Sequence, residues 1–169
     1  GVDRHVVLAV WGIESDYGNF QGDFYTPHAL ANLACAGKRR QSYFKGELIK
    51  TMQIASRGDV PVGDFRGSWA GAFGQTQFMP STYNSLAVDF DRDGRKDLVN
   101  SVPDALASTA NFLKNAGWRN SRPWGYEVKV PDGYKGPSGL KSFSSLATWG
   151  KRGFTRIDGG KLSGSLDAA

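Results

Sequence analysis

The residues with the clearest potential for chemistry lie in AVWGIESDYGNF, residues 9–20, where Glu14 follows an almost wholly apolar run. If this run is a helix, Glu14 lies at its C-terminal end, where the helix dipole and the apolar neighbours both disfavour a charged carboxylate. We therefore expect Glu14 to keep its proton near neutral pH, as the general acid of glycosidic-bond cleavage must. The alternative is a glutamate that ends a helix and points to solvent, which is the more common role of a lone glutamate.

A second candidate segment is GSWAGAFGQTQFMPSTY, residues 67–83, which is rich in glycine, amide and hydroxyl groups. Glycine lets the backbone approach a ligand closely, and amides can hydrogen-bond to sugar hydroxyls and N-acetyl groups. The alternative is an ordinary loop closed by core aromatic residues, and this segment alone favours neither reading. The candidate binding residues in it are Ser68, Gln75, Gln77, Phe78 and Met79.

A third pattern, DFDRDGRKDLVN at residues 89–100, has the spacing of an EF-hand calcium loop, with Gly94 at the sharp turn. Hard cations favour this density of oxygen ligands, so we predict a structural Ca²⁺ or Na⁺ here, remote from catalysis. Asn100 replaces the usual bidentate glutamate, which should weaken binding. The alternative is a solvated acidic turn, but four aspartates within nine residues repel one another without a cation. The predicted ligands are Asp89, Asp91, Asp93, the Arg95 carbonyl and Asp97.

Hydrophobic periodicity predicts the elements that position these residues. Residues 2–14 are apolar on nearly every side, which is typical of a helix buried within a domain. Further helices are expected at 27–35, at about 39–56 with an end at Gly58, at 80–88 and at 103–116, where Leu106, Ala110 and Leu113 share a face. Residues 58–79 should form a structured loop, and alternation beyond about residue 124 predicts strands. The expected fold class is mainly α, of the α+β type.

Composition narrows the class of protein. The chain has 169 residues, 40% hydrophobic and 22% charged, which is typical of a globular domain and excludes disordered and membrane-spanning classes. The net charge of +5 suits an anionic polymer, but the basic residues are scattered, so we predict no nucleic-acid binding. The single Cys35 is expected to be buried and cannot form an intrachain disulfide. The chain starts without methionine, and we expect it to be a piece of a longer protein.

Five motifs identify a family when they are taken together. They occur in fixed order over about residues 5–126, and they are VWGIESDYGNFQGDF, ALANLACAGKRRQSYFKGELI, GSWAGAFGQTQFMPSTY, DFDRDGRKDL and ANFLKNAGW. This set resembles the membrane-bound lytic murein transglycosylase B family of lysozyme-like lytic transglycosylases. The resemblance implies a lysozyme-like helical catalytic core over residues 1–123, including the EF-hand-like loop at 89–100. Residues 124–169 would then form a small and incomplete strand-bearing region.

The resemblance also implies roles for individual residues. Glu14 matches the sole catalytic acid and base of the family. Phe112 stands where a cleft tyrosine is expected, and the aromatic motif that usually ends the catalytic segment is not found in this chain. The implied substrate-binding residues are Arg39, Arg40 and Tyr43, which would contact the glycan, Ser68 and Gln77 near the reacting sugar, and Phe78 and Met79 in the cleft wall. Tyr17 and Gln75 match binding positions of the family less specifically.

The implied reaction cleaves the β-1,4 bond between N-acetylmuramic acid and N-acetylglucosamine in peptidoglycan. Ordinary glycosidases need two carboxylates, whereas in this family the substrate's N-acetyl group stabilises the cation and its own 6-hydroxyl attacks. Asp16, the nearest second acid, is expected to cap the turn instead. The products have 1,6-anhydromuramic acid ends, and no cofactor is needed for catalysis. The alternatives are a hydrolytic lysozyme or chitinase and a non-catalytic peptidoglycan-binding module.

The resemblance further implies where the protein works and what it meets. We expect peptidoglycan glycan strands as substrate, cell-wall synthesis or division proteins as partners, and a monomer. The basic surface suits the carboxylates of muramic acid lactyl groups and stem peptides, with Arg39 and Arg40 as local contacts. The implied location is the bacterial periplasm or cell envelope, with outer-membrane anchoring through a segment outside this chain.

Overall fold

The computed structural model describes residues 1–120 and 125–165 in full and the backbone of 167–168. The chain forms two compact units, Gly1–Asn120 and Ser121–Ala169. The predicted boundary between residues 123 and 124 lies outside the described residues, and the roles assigned to the two parts stay predictions. Among the helices that the structure describes, none combines the length and the hydropathy needed to cross a bilayer.

The described part of the first unit contains five α-helices, and each end lies within about two residues of its predicted position. Proline in the first turn of α2, α4 and α5 favours those starts, and α3 ends at Gly58 as predicted. The helices are α1 (Arg4–Ser15), α2 (Thr26–Cys35), α3 (Gln41–Arg57), α4 (Pro80–Leu86) and α5 (Val102–Asn115).

Short strands connect the helices of this unit. Strands β1 (Phe24–Tyr25) and β2 (Arg66–Gly67) pair antiparallel, with Phe24 opposite Gly67. Single bridges continue this pairing from Gly67 to Phe73 and from Phe73 to Phe78. A 3-10 turn at Val62–Asp64 precedes β2. Residues 58–79 are therefore a structured loop, as the sequence predicts.

The core of the first unit lies beneath this loop. Phe73 packs against Phe65 and Tyr83, with ring centroids 5.2 and 5.5 Å apart. Burying aromatic rings of this size stabilises the loop by several kcal/mol in total, at about 25 cal/mol per Å² of apolar surface. The glycine-rich segment is thus held on a rigid base, and the buried residues of the cluster are Ile54, Val60, Phe65, Phe73, Phe78, Tyr83, Ala87 and Leu98.

Two burial predictions are wrong, and a third element buries residues that the sequence analysis did not single out. In α1 the buried residues are Val7 and Ser15, while Ile13 is 84% exposed, because the described chain covers only one side of this helix. Cys35, at the end of α2, is exposed rather than buried. On α5 the fully buried residues are Asp104, Ala105, Ser108 and Thr109, and the predicted face of Leu106, Ala110 and Leu113 is half-buried. Ser108 is buried because its Oγ accepts a hydrogen bond from the Val88 N–H (2.9 Å).

The second unit is small and built around one helix, α6 (Leu146–Lys151). Leu146 and Trp149 on this helix form a core with Leu162, against which Tyr134 and Phe154 pack. Two pairs of antiparallel strands flank it, which agrees with the predicted strand-bearing region. They are β3 (Val128–Lys129) with β5 (Thr155–Arg156), and β4 (Ser144–Ser145) with β6 (Asp167–Ala168).

Candidate active site

Glu14 lies one residue before the end of α1, and its side chain is exposed. The predicted shielding of this carboxyl is wrong, because the apolar side chains around it, such as Ile13, are themselves exposed. The helix ends here because Asp16 and Tyr17 adopt left-handed backbone conformations, with φ of 50° and 58°. Such conformations cost non-glycine residues about 1–2 kcal/mol each and cluster at functional sites.

The turn after Glu14 is held locally. The Asp16 N–H donates to the Gly12 carbonyl (2.9 Å), and the Asp16 carboxylate accepts from the Asn19 amide (3.3 Å), so the predicted capping role is confirmed. Tyr17 is 56% exposed and packs edge-on against Trp11, with ring centroids 5.4 Å apart. Its exposed ring beside the catalytic candidate is consistent with the predicted sugar contact, which stays a prediction.

The glycine-rich segment makes two tight turns. In the first, Ser68 Oγ accepts from the Ala72 N–H (3.1 Å), and the Ser68 carbonyl accepts from the Gly71 N–H (3.0 Å). In the second, Phe73 and Phe78 exchange both backbone hydrogen bonds at 3.0 Å, which places residues 74–77 in the turn. Both predicted polar contacts, Ser68 and Gln77, therefore lie in turns fixed by the backbone.

The two glutamines of this segment have different environments. Gln77 is half-buried with φ of 51°, and its Nε2 donates to the Gln21 and Gly74 carbonyls (2.9 Å each). Its Oε1 has no partner among the described residues and is available to a ligand. Gln75, in contrast, is buried, and its amide is hydrogen-bonded to Trp11 and Val99. This geometry differs from the predicted sugar contact at Gln75.

The apolar candidates Phe78 and Met79 follow this turn. Phe78 is 6% exposed and belongs to the core, where its ring packs against that of Phe112 with ring centroids 5.7 Å apart. Met79 is half-buried just before α4. Phe112 is 40% exposed. Phe78 is therefore part of the core next to the turn at residues 74–77. The exposed aromatic ring in contact with it is that of Phe112.

The predicted glycan-contacting residues cluster at the start of α3. Arg40, with φ of 58°, is the N-cap residue, and its guanidinium lies 4.1 Å from the centre of the Tyr43 ring. Arg39 precedes it, and all three side chains are exposed. A cation stacked on a ring is a preformed contact that is worth about 0.5–1 kcal/mol at an exposed position. The arrangement offers positive charge and a flat apolar face together.

The acidic loop brings Asp89, Asp91 and Asp93 together, with one ligand atom from each within 4.8 Å of the others. Gly94, with φ of 91°, makes the predicted turn, and its N–H donates to Asp89 Oδ2 (3.0 Å). Asp89 Oδ1 is buried and has no hydrogen-bond partner in the part of the chain that the structure describes. The Arg95 N–H and guanidinium hold the pKa of Asp93 below its ordinary value. A buried carboxylate oxygen without a partner, in a cluster of three aspartates, fits a cation.

Asp97 is placed differently from the other predicted ligands. It is buried, and its carboxylate accepts hydrogen bonds from the Val99 and Asn100 N–H groups (2.9 and 2.8 Å). Asp104, which the sequence analysis missed, is fully buried and accepts from the Phe90 and Asp97 N–H groups (2.7 and 2.9 Å). Its signal in the sequence is the capping pattern SVPD at residues 101–104, in which the Ser101 hydroxyl accepts from the Asp104 N–H (3.3 Å).

The end of α1 is joined directly to the glycine-rich segment. Trp11 donates its indole N–H to Gln75 Oε1 (2.9 Å), and Ser15 donates its hydroxyl to the Gln75 carbonyl (2.6 Å). Trp11 and Ser15 were not among the predicted site residues, since a tryptophan and a serine on a helix carry no specific signal. The junction brings the segment of Glu14 and the segment of Gln77 into one site.

A solvent-exposed acid on a helix end, an amide-bearing turn and a basic aromatic helix start are the parts of a polysaccharide-cleaving or polysaccharide-binding site on a helical fold. All residues 1–169 match the sequence model of the family described as "Transglycosylase SLT domain". The chain therefore belongs to the SLT transglycosylase domain family, and the predicted family is confirmed.

Individual relatives agree with this assignment. Membrane-bound lytic murein transglycosylase B of Escherichia coli (strain K12) is 40% identical over 119 residues, which are 70% of this chain and 32% of that protein. SltB3 from Pseudomonas aeruginosa, solved in complex with NAG-NAM-pentapeptide, is 44% identical with a TM-score of 0.88, over 98% of this chain and 44% of that one. Escherichia coli Slt35 in complex with calcium is 31% identical with a TM-score of 0.86, over 97% of this chain and 51% of that one.

These similarities confirm the predicted fold class, a mostly helical lysozyme-like core with a few short strands. The chain spans about a third of the curated relative and about half of the solved structures. The activity of the whole relatives is therefore carried to this chain only as a proposal.

Proposed function

We propose that this chain carries the catalytic core of a lytic transglycosylase that cleaves the β-1,4 bond between N-acetylmuramic acid and N-acetylglucosamine in peptidoglycan. The observation that carries the proposal is the hydrogen-bonded junction between the end of α1, which bears Glu14, and residues 75–77, which bear Gln77, in a chain of the SLT family. The complexes of SltB3 with NAG-NAM-pentapeptide and with NAG-anhNAM-pentapeptide support both the substrate and the product.

Glu14 supplies the acid and base in this proposal. Its carboxyl gives a proton to the glycosidic oxygen as the bond from that oxygen to C1 of the muramic acid breaks. The N-acetyl oxygen of the same sugar stabilises the positive charge that develops at C1. The 6-hydroxyl oxygen then bonds to C1, and its proton returns to the Glu14 carboxylate. One proton leaves and one returns, no water is consumed, and the product is a 1,6-anhydromuramic acid end.

The remaining site residues bind and orient the glycan. Gln77 Oε1 accepts a hydrogen bond from a sugar N–H or O–H, and Ser68 contacts the same sugar. Arg39, Arg40 and Tyr43 form a subsite for acidic groups and an apolar sugar face. Tyr17 and Met79 make further contacts with the bound glycan. Because Glu14 is exposed, the bound glycan itself must displace water from the carboxyl before proton transfer.

The acidic loop is proposed to bind Ca²⁺ or Na⁺ through Asp89, Asp91 and Asp93 and the Arg95 carbonyl. The buried and unpartnered Asp89 Oδ1 supports this, and so does the calcium complex of Slt35. When bound, the ion would neutralise the carboxylates and tie the loop together, with no part in bond cleavage. The Arg95 guanidinium, 3.1 Å from Asp93 Oδ2, competes with the ion for that carboxylate.

The proposed substrate places the protein in the bacterial cell envelope, where peptidoglycan lies. The name of the membrane-bound relative supports an envelope location with anchoring outside these 169 residues. We propose that the chain works as a monomer and meets cell-wall synthesis or division proteins at the peptidoglycan strands. The role of residues 1–123 as the catalytic core, with 124–169 as an incomplete accessory region, belongs to the same proposal.

Mass spectrometry of digested murein tests the activity. The chain should release fragments with anhydro ends, and Glu14→Gln should lower the rate by at least about 10³-fold, because the only proton donor is lost. Asp16→Asn is the matched control, since it makes the same carboxyl-to-amide change two residues away and should keep most of the activity. Fragments with reducing ends, which contain one added water, would show hydrolysis instead, and unchanged cleavage by Glu14→Gln would remove this residue from the mechanism.

A further inference from the structure

Gln75 engages each of its polar groups inside the protein. Its backbone N–H donates to the Leu98 carbonyl (2.8 Å), and its carbonyl accepts from Ser15 Oγ (2.6 Å). Its Oε1 accepts from the Trp11 indole (2.9 Å), and its Nε2 donates to the Val99 carbonyl (3.1 Å). The residue is only 4% exposed. A buried amide that is bonded at both ends has a fixed orientation, so Gln75 acts as a rigid connector.

Two of these bonds control the turn that carries Glu14. Trp11 lies three residues before Glu14, and Ser15 follows it directly. Ser15 Oγ also accepts a hydrogen bond from the Gly18 N–H (2.9 Å), so one hydroxyl holds the left-handed turn and attaches it to Gln75. A Cβ atom at Gly18 would lie 2.8 Å from Gln75 Oε1, which shows how closely this turn covers the amide.

The other two bonds end on Leu98 and Val99, near the end of the acidic loop at residues 89–100. This stretch is itself fixed, because the Asp97 carboxylate accepts from the Val99 N–H (2.9 Å). The Val99 carbonyl receives a second hydrogen bond from Gln21 Nε2 (3.0 Å), and the Gln21 carbonyl accepts from Gln77 (2.9 Å). Gln75 thereby links the end of α1 to residues 98–99, which are fixed by hydrogen bonds and are connected to Gln77 through Gln21.

We infer that Gln75 is a positioning residue, which sets the location of the Glu14 carboxyl relative to Gln77 and does not bind sugar. The inference rests on the proposed function, because position matters only if Glu14 transfers a proton to a bound glycan. Misplacing a catalytic group by about 1 Å can lower the rate about 10²-fold. Substrate affinity should change little, since the groups proposed to contact the glycan lie on other side chains.

The test substitutes Gln75→Met, which keeps the length of the side chain and removes both side-chain hydrogen bonds. We expect kcat on soluble glycan strands to fall about 10²-fold, with KM changed by less than about 3-fold. Asn111→Leu is the matched control, because the side-chain amide of Asn111 on α5 likewise donates to a backbone carbonyl, that of Leu86 on α4 (2.9 Å). The control should lose thermal stability and keep kcat.

A second variant and a spectroscopic signal distinguish a displaced Glu14 from a Gln75→Met protein that does not fold. Trp11→Phe removes the indole hydrogen bond to Gln75, leaves the bond from Ser15 in place, and should lower kcat about 10-fold. The indole N–H resonance of Trp11, assigned by its absence in this variant, should shift in Gln75→Met and stay in place in Asn111→Leu. This signal reports on the junction even if the chain does not cleave murein. It therefore tests the role of Gln75 separately from the proposed function.

Three results would overturn the inference. A raised KM with unchanged kcat in Gln75→Met would make Gln75 a sugar contact. An equal loss of kcat in Gln75→Met and Asn111→Leu, in proportion to their loss of folded protein, would make it a merely structural residue. An unchanged Trp11 resonance in Gln75→Met would show that the junction is absent in solution.

Discussion

At the residue scale, Tyr83 is the most deeply buried tyrosine of the described chain. It is fully buried, and its hydroxyl donates to the Lys96 carbonyl. Burial raises the pKa of Tyr83 far above its ordinary value, and the negative charge of Asp59 raises it further. The phenolate is therefore disfavoured in the folded state only.

This shift predicts how stability depends on pH. The folded pKa lies above the unfolded value of about 10, so the contribution of Tyr83 is complete below pH 10 and is lost as the pH rises above it. The free energy of unfolding should fall by up to about 1.4 kcal/mol per pH unit from this group. Urea denaturation between about pH 8 and 11 measures it. Tyr83→Phe should lack this component, whereas Tyr17→Phe, an exposed control, should retain it; parallel curves for wild type and Tyr83→Phe would contradict the prediction.

Single residues also show what the sequence could and could not predict. The motif positions placed Glu14, Gln77 and the Arg40–Tyr43 pair on the expected elements. Their environments were harder to predict, because Trp11 and Ser15 contact Gln75 across 64 and 60 residues of chain. Such distant pairings decide whether an amide faces sugar or core, and the local pattern of residues does not encode them.

At the scale of elements, the acidic loop and α5 form one unit held by Asp104. Its carboxylate bonds to N–H groups at both ends of the loop, Phe90 and Asp97, while the oxygens of Asp89, Asp91 and Asp93 converge. The repulsion between these carboxylates opposes this conformation. A bound cation should therefore stabilise the fold.

Calorimetry with added calcium measures this effect. A ligand that binds only the folded state adds about 2.7 kcal/mol of stability at 100 times its Kd, so CaCl₂ should raise the Tm relative to EDTA. Asp89→Asn removes charge from the buried end of the site and should abolish most of the increase. Asp23→Asn, which neutralises an exposed aspartate outside the loop, is the control. A calcium-induced shift that is the same in Asp89→Asn would disprove this ligand set.

The elements themselves were largely predictable, and the exceptions have a physical cause. Helix ends follow from local chemistry, such as Pro27 at the start of α2 and Gly58 at the end of α3. The buried faces of α1 and α5 depend on which neighbours cover them. The burial of small residues on α5, such as Ser108, was not predicted. Ser108 is buried because the backbone at Val88 lies close to it and donates a hydrogen bond to its hydroxyl, and hydrophobicity does not indicate such a contact.

At the scale of the whole molecule, charge is divided unequally between the two units. Residues 121–169 contain eight Lys and Arg against four Asp and Glu, so this smaller unit has a formal charge of +4, out of +5 for the chain. Lys135 and Lys141 in it are exposed. Long-range attraction to an anionic polymer should therefore come mainly from the second unit.

Co-sedimentation with murein tests this division, with the Glu14→Gln variant used to prevent cleavage. Binding should weaken by roughly tenfold between about 0.05 and 0.5 M NaCl, because salt screens exposed charges. Changing Lys135 and Lys141 to Glu should reduce binding more than changing Lys114 and Arg119, which alters the total charge equally in the first unit. Equal losses from the two pairs would mean that only the net charge matters.

The exposed thiol at the end of α2 has a practical consequence for any preparation of this chain. Cys35 is the sole cysteine, and the side-chain amide of Gln41 donates to its carbonyl, leaving the sulfur at the surface. Air oxidation can join two copies through one disulfide and can extend no further, because each copy has a single thiol. Material stored without a reductant should therefore accumulate a covalent pair on a non-reducing gel, and the two copies would be linked through their α2 ends.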